Sequence, residues 1–423
     1  MALALRFAEA MAVAPSQVEA RARASGQTAG ARSTLQGKAP ALGAAAVLML
    51  MFVGATLPTP LYVIYGDELH FSQLTLTLIY SVYFAAAMAT AFFLGRISDE
   101  IGRRVAIFAA VAISMAATLV FIFSHSIPML FLGRLLSGLG IPLAAGAGTA
   151  WVAELCENHC TSASLSAGAT LAGLGLGPLI AGLLAQYMPE PLVLPFAVLL
   201  LLGLAAAIIT WLLPETIEHP IRQWSRLSLH PRVGVPRSIL GAFAAPAVTA
   251  FSTFSLLGFY SALAPSLLQG SLHVESHAIG GAAVFELYAI ATLVLVSTQG
   301  LAARTAMLSG LALLLPSLGL IVAALELHSL PILLTGAGVG GAAVALGYRG
   351  SLQLVNEIAP DNRRAELVST YLMFCYAGVS LPVIGIGLVA VEETPDIAND
   401  AFAAVIMAFA LLAIFVDLRR ARR

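Results

Sequence analysis

Very few side chains in the apolar parts of this chain could do ionic chemistry, and their positions are informative. Glu286 lies about ten residues into the apolar run 276–299. At about 1.5 Å per residue, that depth is close to the middle of a bilayer-spanning helix. A carboxyl taken out of water there can hold and release a proton near physiological pH, as a proton carrier must; the alternative is a permanently protonated or ion-paired structural Glu. Arg134 lies about seven residues into the run 127–150, roughly 10 Å deep at the same rise. An embedded Arg costs about 2.5–3.5 kcal/mol even on the lower scales, so it is expected to face a polar cavity or a partner unless it snorkels to the interface. Arg349, late in the run 329–357, could attract an anionic substrate, pair with a carboxylate or snorkel. A direct Glu286–Arg349 bridge is not expected, because their depths differ by about 15 Å.

A second group of charges sits in a short turn, Gly95 to Arg104, which carries Arg96, Asp99, Glu100, Arg103 and Arg104 around Gly95 and Gly102. Charges at a helix end can pair across to a neighbouring helix and lock one state of a two-state machine, or can simply fix topology and solvate the loop. Gating is the favoured role for Asp99, and both roles stay open for the arginines. Tyr62, Tyr65, Tyr80, Tyr83 and Tyr260 are candidates to line a cavity, although aromatic residues are also common at membrane interfaces. Cys156, His159 and Cys160 offer soft metal ligands but lack a fourth at zinc spacing, so no metal is expected.

The elements that must position these groups follow from composition. The chain is 59% hydrophobic and 10% charged, with a mean hydropathy of +0.92. A soluble protein carries about a quarter charged residues, so most of this surface must meet lipid, and the expected class is an all-α membrane protein. A net charge of −1 argues against nucleic acid as a partner. Hydropathy with Gly, Pro and charge punctuation gives twelve spans, near 41–66, 72–94, 104–124, 127–150, 161–188, 192–213, 237–267, 276–299, 303–325, 329–357, 364–391 and 398–418. Residues 1–40 read as a disordered cytoplasmic tail more than as an organelle transit peptide. A first six-helix bundle is expected over 41–213, a cytoplasmic linker over 214–236, a second bundle over 237–418 and a short tail over 419–423. With both termini cytoplasmic, nineteen of the twenty-one Lys and Arg fall on the cytoplasmic side and none in an outer loop, whereas Asp67, Glu68, Glu275, Glu392, Glu393 and Asp396 lie outside. The halves also align at an offset of 203 residues: Leu69-His70 with Leu272-His273, Gly133 with Gly336, Gly138 with Gly341, Glu154 with Glu357. Parallel six-span repeats about an axis along the membrane normal are a known transporter arrangement.

The turn's pattern, Gly95-x-x-x-Asp99-x-x-Gly102-Arg103-Arg104, resembles the loop between helices 2 and 3 of the major facilitator superfamily. Gly133-Arg134-Leu135-Leu136-Ser137-Gly138-Leu139-Gly140 is similar to that family's helix-4 motif, whose Arg is associated with proton coupling in drug antiporters. Gly173-Leu174-Gly175-Leu176-Gly177-Pro178-Leu179-Ile180-Ala181-Gly182 is similar to the helix-5 antiporter motif, with Ala181 in place of a usual Gly. Leu57-Pro58-Thr59-Pro60 and Leu213-Pro214-Glu215-Thr216 look like those of twelve-helix drug–proton antiporters. In the second half the turn's counterpart, Gly300-Leu301-Ala302-Ala303-Arg304, lacks the acid. Independently of the family, Gly173, Gly177 and Pro178 suit close helix packing and a kink.

The resemblance implies the major facilitator fold of two six-helix bundles. It also implies a proton-coupled exporter of small amphiphilic molecules or metabolites, in the inner (cytoplasmic) membrane, working as a monomer with protons and lipid as its other partners. Glu286 and Arg134 are the candidates for proton coupling; Tyr62, Tyr83, Tyr260 and Arg349 are the candidates for the substrate cavity. Proton symport of an anionic metabolite is the alternative, and a transport-inactive sensor is disfavoured by the intact turn and the mid-membrane acid. No H-E-x-x-H, G-x-S-x-G or Walker pattern is present, so neither an enzyme nor ATP-driven transport is expected, and no cofactor. A reporter active only outside the cell, fused after Arg423, should therefore stay silent; a clear signal would overturn the twelve-span topology.

Overall fold

The hydrocarbon core offers the backbone no water, so each spanning segment must satisfy its own peptide groups as a helix. The structure, a computed structural model, describes residues 38–95, 97–156, 159–217, 234–360 and 363–421. It holds twelve long apolar helices: α1 Lys38–Thr56, α2 Gln73–Leu94, α3 Arg103–Ile122, α4 Ile127–Leu155, α5 His159–Tyr187 and α6 Leu194–Leu212 in the first half. The second half holds α7 Leu240–Gly270, α8 His277–Ser297, α9 Ala303–Glu326, α10 Leu330–Ile358, α11 Arg364–Glu392 and α12 Pro395–Ala421. Most of the N-terminal tail, the centre of the linker with Arg222, Arg226 and Arg232, and Arg96 lie outside the described residues, as do the side chains of His159 and Cys160. The first expected span is broken. Pro58 and Pro60 interrupt it, α1 stops at Thr56, and a separate helix runs Tyr62–Leu69. Because the helices alternate in direction, α1 begins and α12 ends on one face, here the termini face; the other is the opposite face.

The two halves are copies in packing as well as in sequence. Within the first, α1 packs on α4, α5 and α6, and α3 on α4 and α6; within the second, α7 packs on α10, α11 and α12, and α9 on α10 and α12. Between halves the main seams are α5 on α8 and α2 on α11, which exchange under the same relation. The 203-residue offset extends to His125 and His328, Pro128 and Pro331, Glu190 and Glu393. His70 and His273, matched by that offset, both turn the chain with a positive φ, 51° and 56°.

At two of the prolines inside helices, Pro142 and Pro178, a side chain of a neighbouring helix takes up the freed carbonyl. Pro178 has no N–H for the Leu174 carbonyl, and the Thr56 hydroxyl donates to that oxygen at 2.8 Å. Pro142 frees the Gly138 carbonyl, and Thr90 donates to it at 3.4 Å. The α5 motif serves two faces: Gly173 and Gly177 meet the α1 backbone at Met49 and Val53, whereas Pro178 and Gly182 meet α8 at Gly281 and His277. The α5–α8 seam is thus closed by small residues toward the opposite face, where the His277 N–H also donates to Gln186 Oε1 at 2.8 Å.

A methyl group on Gly281 would run into the Pro178 carbonyl oxygen, whereas one on Gly385 of α11 would meet nothing. Gly281→Ala should therefore cost about 1–3 kcal/mol by overpacking and lower the unfolding midpoint in detergent, while Gly385→Ala should leave it unchanged or slightly raised. Equal midpoints for the two variants would show that the seam is not tightly closed.

Candidate functional site

Between the halves lies a cavity of about 590 Å³, with walls from α1, α2, α4 and α5 on one side and α7, α8, α10 and α11 on the other. It reaches Ser162 and Leu295 near the ends of α5 and α8 on the termini face, and it ends at Arg134 and Tyr80 toward the opposite face. Its lining is mostly aromatic and aliphatic, with hydroxyls from Thr56, Thr149, Ser166 and several tyrosines. Arg134 is its one charged lining residue among the described residues and is only 1% exposed.

Three tyrosines from two elements box that guanidinium. It lies 5.1 Å from the ring centre of Tyr62, 5.7 Å from Tyr80 and 5.4 Å from Tyr83, close enough for cation–π attraction. Arg134 Nε donates to the Tyr62 hydroxyl in a short hydrogen bond, and Nη1 donates to the Ala55 carbonyl at 2.9 Å. That carbonyl lies at the end of α1, where the Pro58–Pro60 break leaves helix oxygens without N–H partners. Arg134 therefore does not snorkel; it is held inside. Tyr62 also lines a second space of about 620 Å³ on the opposite face, among Asp67, Gln269 and His273. The Arg134–Tyr62 hydrogen bond is thus part of the partition between the cavity and the vestibule on the opposite face.

Of the expected cavity residues, Tyr83 lines the cavity and Tyr62 stands at its partition. Tyr260 and Arg349 do not line it, and both expectations are corrected. Tyr260 is fully buried in α7, with its hydroxyl donating to the Leu333 carbonyl of α10 at 3.3 Å in the space left by Gly336. Arg349 turns to the end of α8 and donates to the carbonyls of Thr298, Gln299 and Leu301, the last at 3.0 Å. These three carbonyls belong to the turn that follows α8, which ends at Ser297, and the guanidinium of α10 satisfies them. Glu286 also lies off the cavity. It is half-buried on the α10 side of α8, where a Cβ on Gly338 would come within 3.6 Å of its Oε1, and among the described residues nothing donates a hydrogen bond to it. Two positions along, Tyr288 does line the cavity.

The charged turn is drawn together on the termini face. Arg103 pairs with Asp99 and with Glu154 of α4, the latter at 2.8 Å, and donates to Ser98 at 2.7 Å. The Glu215 carboxylate, just past α6, accepts the backbone N–H groups of Arg103 and Arg104, each at 3.0 Å, and so caps the start of α3. Gly102 has φ 103°, and a side chain there would collide with that carboxylate; glycine is required on both counts. Arg104 reaches the Trp211 carbonyl at 2.6 Å, and Gly95 closes α2. Glu154 and Glu215 as partners, and Tyr288, Tyr348 and Tyr376 as lining, were not singled out from sequence. An acid in the last turn of α4 and another just after α6, on the side rich in Arg, were the available signals.

Three comparisons place this geometry. The sequence model of the Major Facilitator Superfamily matches residues 44–381. No curated protein matches the chain. Among solved structures, the peptide transporter POT superposes with a TM-score of 0.75 at 13% identity, covering 92% of this chain and 98% of its own. The nucleoside transporter NupG gives 0.69 at 14%, covering 89% and 98%. A bacterial homologue of the human lysosomal transporter Spinster, inward-facing and unoccupied, gives 0.67 at 15%, covering 92% and 98%. At these identities the likeness is one of fold.

The charge cluster yields a graded expectation. Asp99 is 49% exposed and its partner Arg103 only 7%, so Asp99→Asn should cost less than about 1 kcal/mol. Arg103→Gln strands Glu154 and should cost up to about 3–5 kcal/mol. Thermal unfolding in detergent should show a near-parent midpoint for the first and a clear drop for the second. Solute uptake by Asp99→Asn should nonetheless be slow; parent rates would return Asp99 to a topological role.

Proposed function

The chain belongs to the major facilitator superfamily and is a multi-pass membrane transporter, and from that premise we propose proton-coupled export of small amphiphilic compounds or metabolites by alternating access. The observation that carries this reading is the cavity itself, built from both halves, extending to one face and partitioned from the other at Tyr62 and Arg134. Two repeats rocking about such a site expose it to each face in turn. We assign the termini face to the cytoplasm on the Lys and Arg distribution, which makes this the inward-open state.

Export by antiport is supported by the resemblance of the Arg134 and Gly173–Gly182 segments to drug–proton antiporters. Glu286 is our candidate for the proton site. Among the described residues it is the carboxyl farthest from a helix end, on the same helix as the lining residue Tyr288. The second reading is inward proton symport of a small anion, and it is favoured by Arg134 being the one charged residue of the lining among the described residues.

A panel of toxic compounds and metabolites, tested on a deletion strain and an overexpressor, should identify the solute. Right-side-out proteoliposomes made acidic outside should then extrude preloaded solute by antiport, or draw it in by symport. Indifference to the pH gradient would sink both coupled readings. Glu286→Gln should bind solute and keep counterflow exchange while losing the pH-driven component; parent behaviour would place coupling elsewhere.

A further inference from the structure

Arg134 is a buried cation to which no described residue supplies a counter-ion. Each of its partners is neutral: the Tyr62 hydroxyl, the Ala55 carbonyl, and the faces of Tyr62, Tyr80 and Tyr83. Its Nη2 makes no hydrogen bond among the described residues, although the side chain is 99% buried and lines the cavity. Among the described residues, no Asp, Glu, Lys or His contributes to that lining. Glu286, the acid nearest mid-membrane, faces away toward Gly338. A fixed positive charge at the blind end of a low-dielectric space makes the whole cavity attract anions and repel cations.

We propose that the solute is an organic monoanion, its carboxylate seated on Arg134 and its apolar body lying among the aromatic and aliphatic walls. The guanidinium fork matches a planar carboxylate. Tyr83, which lines the same space and whose hydroxyl makes no hydrogen bond among the described residues, supplies a further donor beside it. One cation balances one negative charge, so a dianion such as a phosphate monoester would bring a charge that nothing here neutralises. The volume, about 590 Å³, falls within the range of pockets for drug-sized molecules, which bury most of the ligand's surface. Cationic amphiphiles are excluded by the same field that admits the anion. The inference deepens the transport reading of this cavity and rests on it.

The test uses the full-length protein in nanodiscs and a panel of aromatic and medium-chain carboxylates, each matched to its neutral amide and to a quaternary ammonium of the same skeleton. Thermal shift and calorimetry should show at least one carboxylate binding tenfold or more tighter than its amide, with no ammonium member binding. Arg134→Gln should bring carboxylate and amide to equal affinity. Should that variant fail to fold, Tyr83→Phe is expected to weaken the carboxylate several-fold and leave the amide unchanged. The proposal is overturned if no carboxylate binds, if amides bind as tightly, or if ammonium members are preferred. Counterflow of the bound probe in proteoliposomes separates the two levels: binding without movement would retain the ligand class and reject transport, and movement of an ammonium probe would do the reverse.

Discussion

A bilayer cannot hydrogen-bond a peptide group, and most of this architecture follows from that constraint. The chain is helical wherever it crosses, and several of its irregularities carry their own remedy. Where Pro178 and Pro142 leave carbonyls free, Thr56 and Thr90 reach across from the next helix. In the turn after α8, Arg349 covers the carbonyls of Thr298, Gln299 and Leu301; where α3 begins, Glu215 covers its N–H groups. These contacts join one helix to another, so satisfying the backbone also fixes which helices are neighbours. Apolar burial cannot do that in lipid, and small residues do the rest by letting backbones meet, as at Gly281 against Pro178.

Arg134 is the exception that gives the assembly a polar centre. It sits where the proline break of the first span leaves the Ala55 carbonyl accessible, and three tyrosine rings make up for lost water without neutralising the charge. The cost of burying it is thereby reduced, and its capacity to attract an anion is retained. Through its hydrogen bond to Tyr62, the same side chain joins the cavity lining to the partition beneath the vestibule.

The twelve helices were legible because charged turns and prolines punctuate runs long enough to span. Most boundaries fell within a few residues of the structure. The break at Pro58–Pro60 was the exception, read through because its flanks stay apolar. What hydropathy could not supply was rotation. Helices that are apolar on every side carry no amphipathic stripe, so nothing in the pattern told Tyr83, which lines the cavity, from Tyr260, which is packed behind it. For the same reason Glu286 could be placed in depth but not in azimuth, and Arg349 was assigned to solute when its partners were helix-end carbonyls. The pairing of Arg103 with Glu154 is 51 residues apart in sequence and depends on two helices being neighbours, which only the assembled bundle decides.

The halves share a packing plan but not a chemistry. At the offset of 203 residues Arg134 aligns with Ala337, and the second half carries an Arg304–Asp417 pair at 2.7 Å in place of the network around Asp99, Arg103 and Glu154. Arg349 has no counterpart, since Gly146 stands at the equivalent place. A symmetric pair of bundles would have no reason to bind a solute at one end of the shared cavity more than at the other. With the cation confined to the first half and the second contributing tyrosines and aliphatic surface, a bound molecule has one polar anchor and an apolar wall that can move past it. In the cycle we propose, rocking changes which face the cavity meets without requiring the charge to leave its cage.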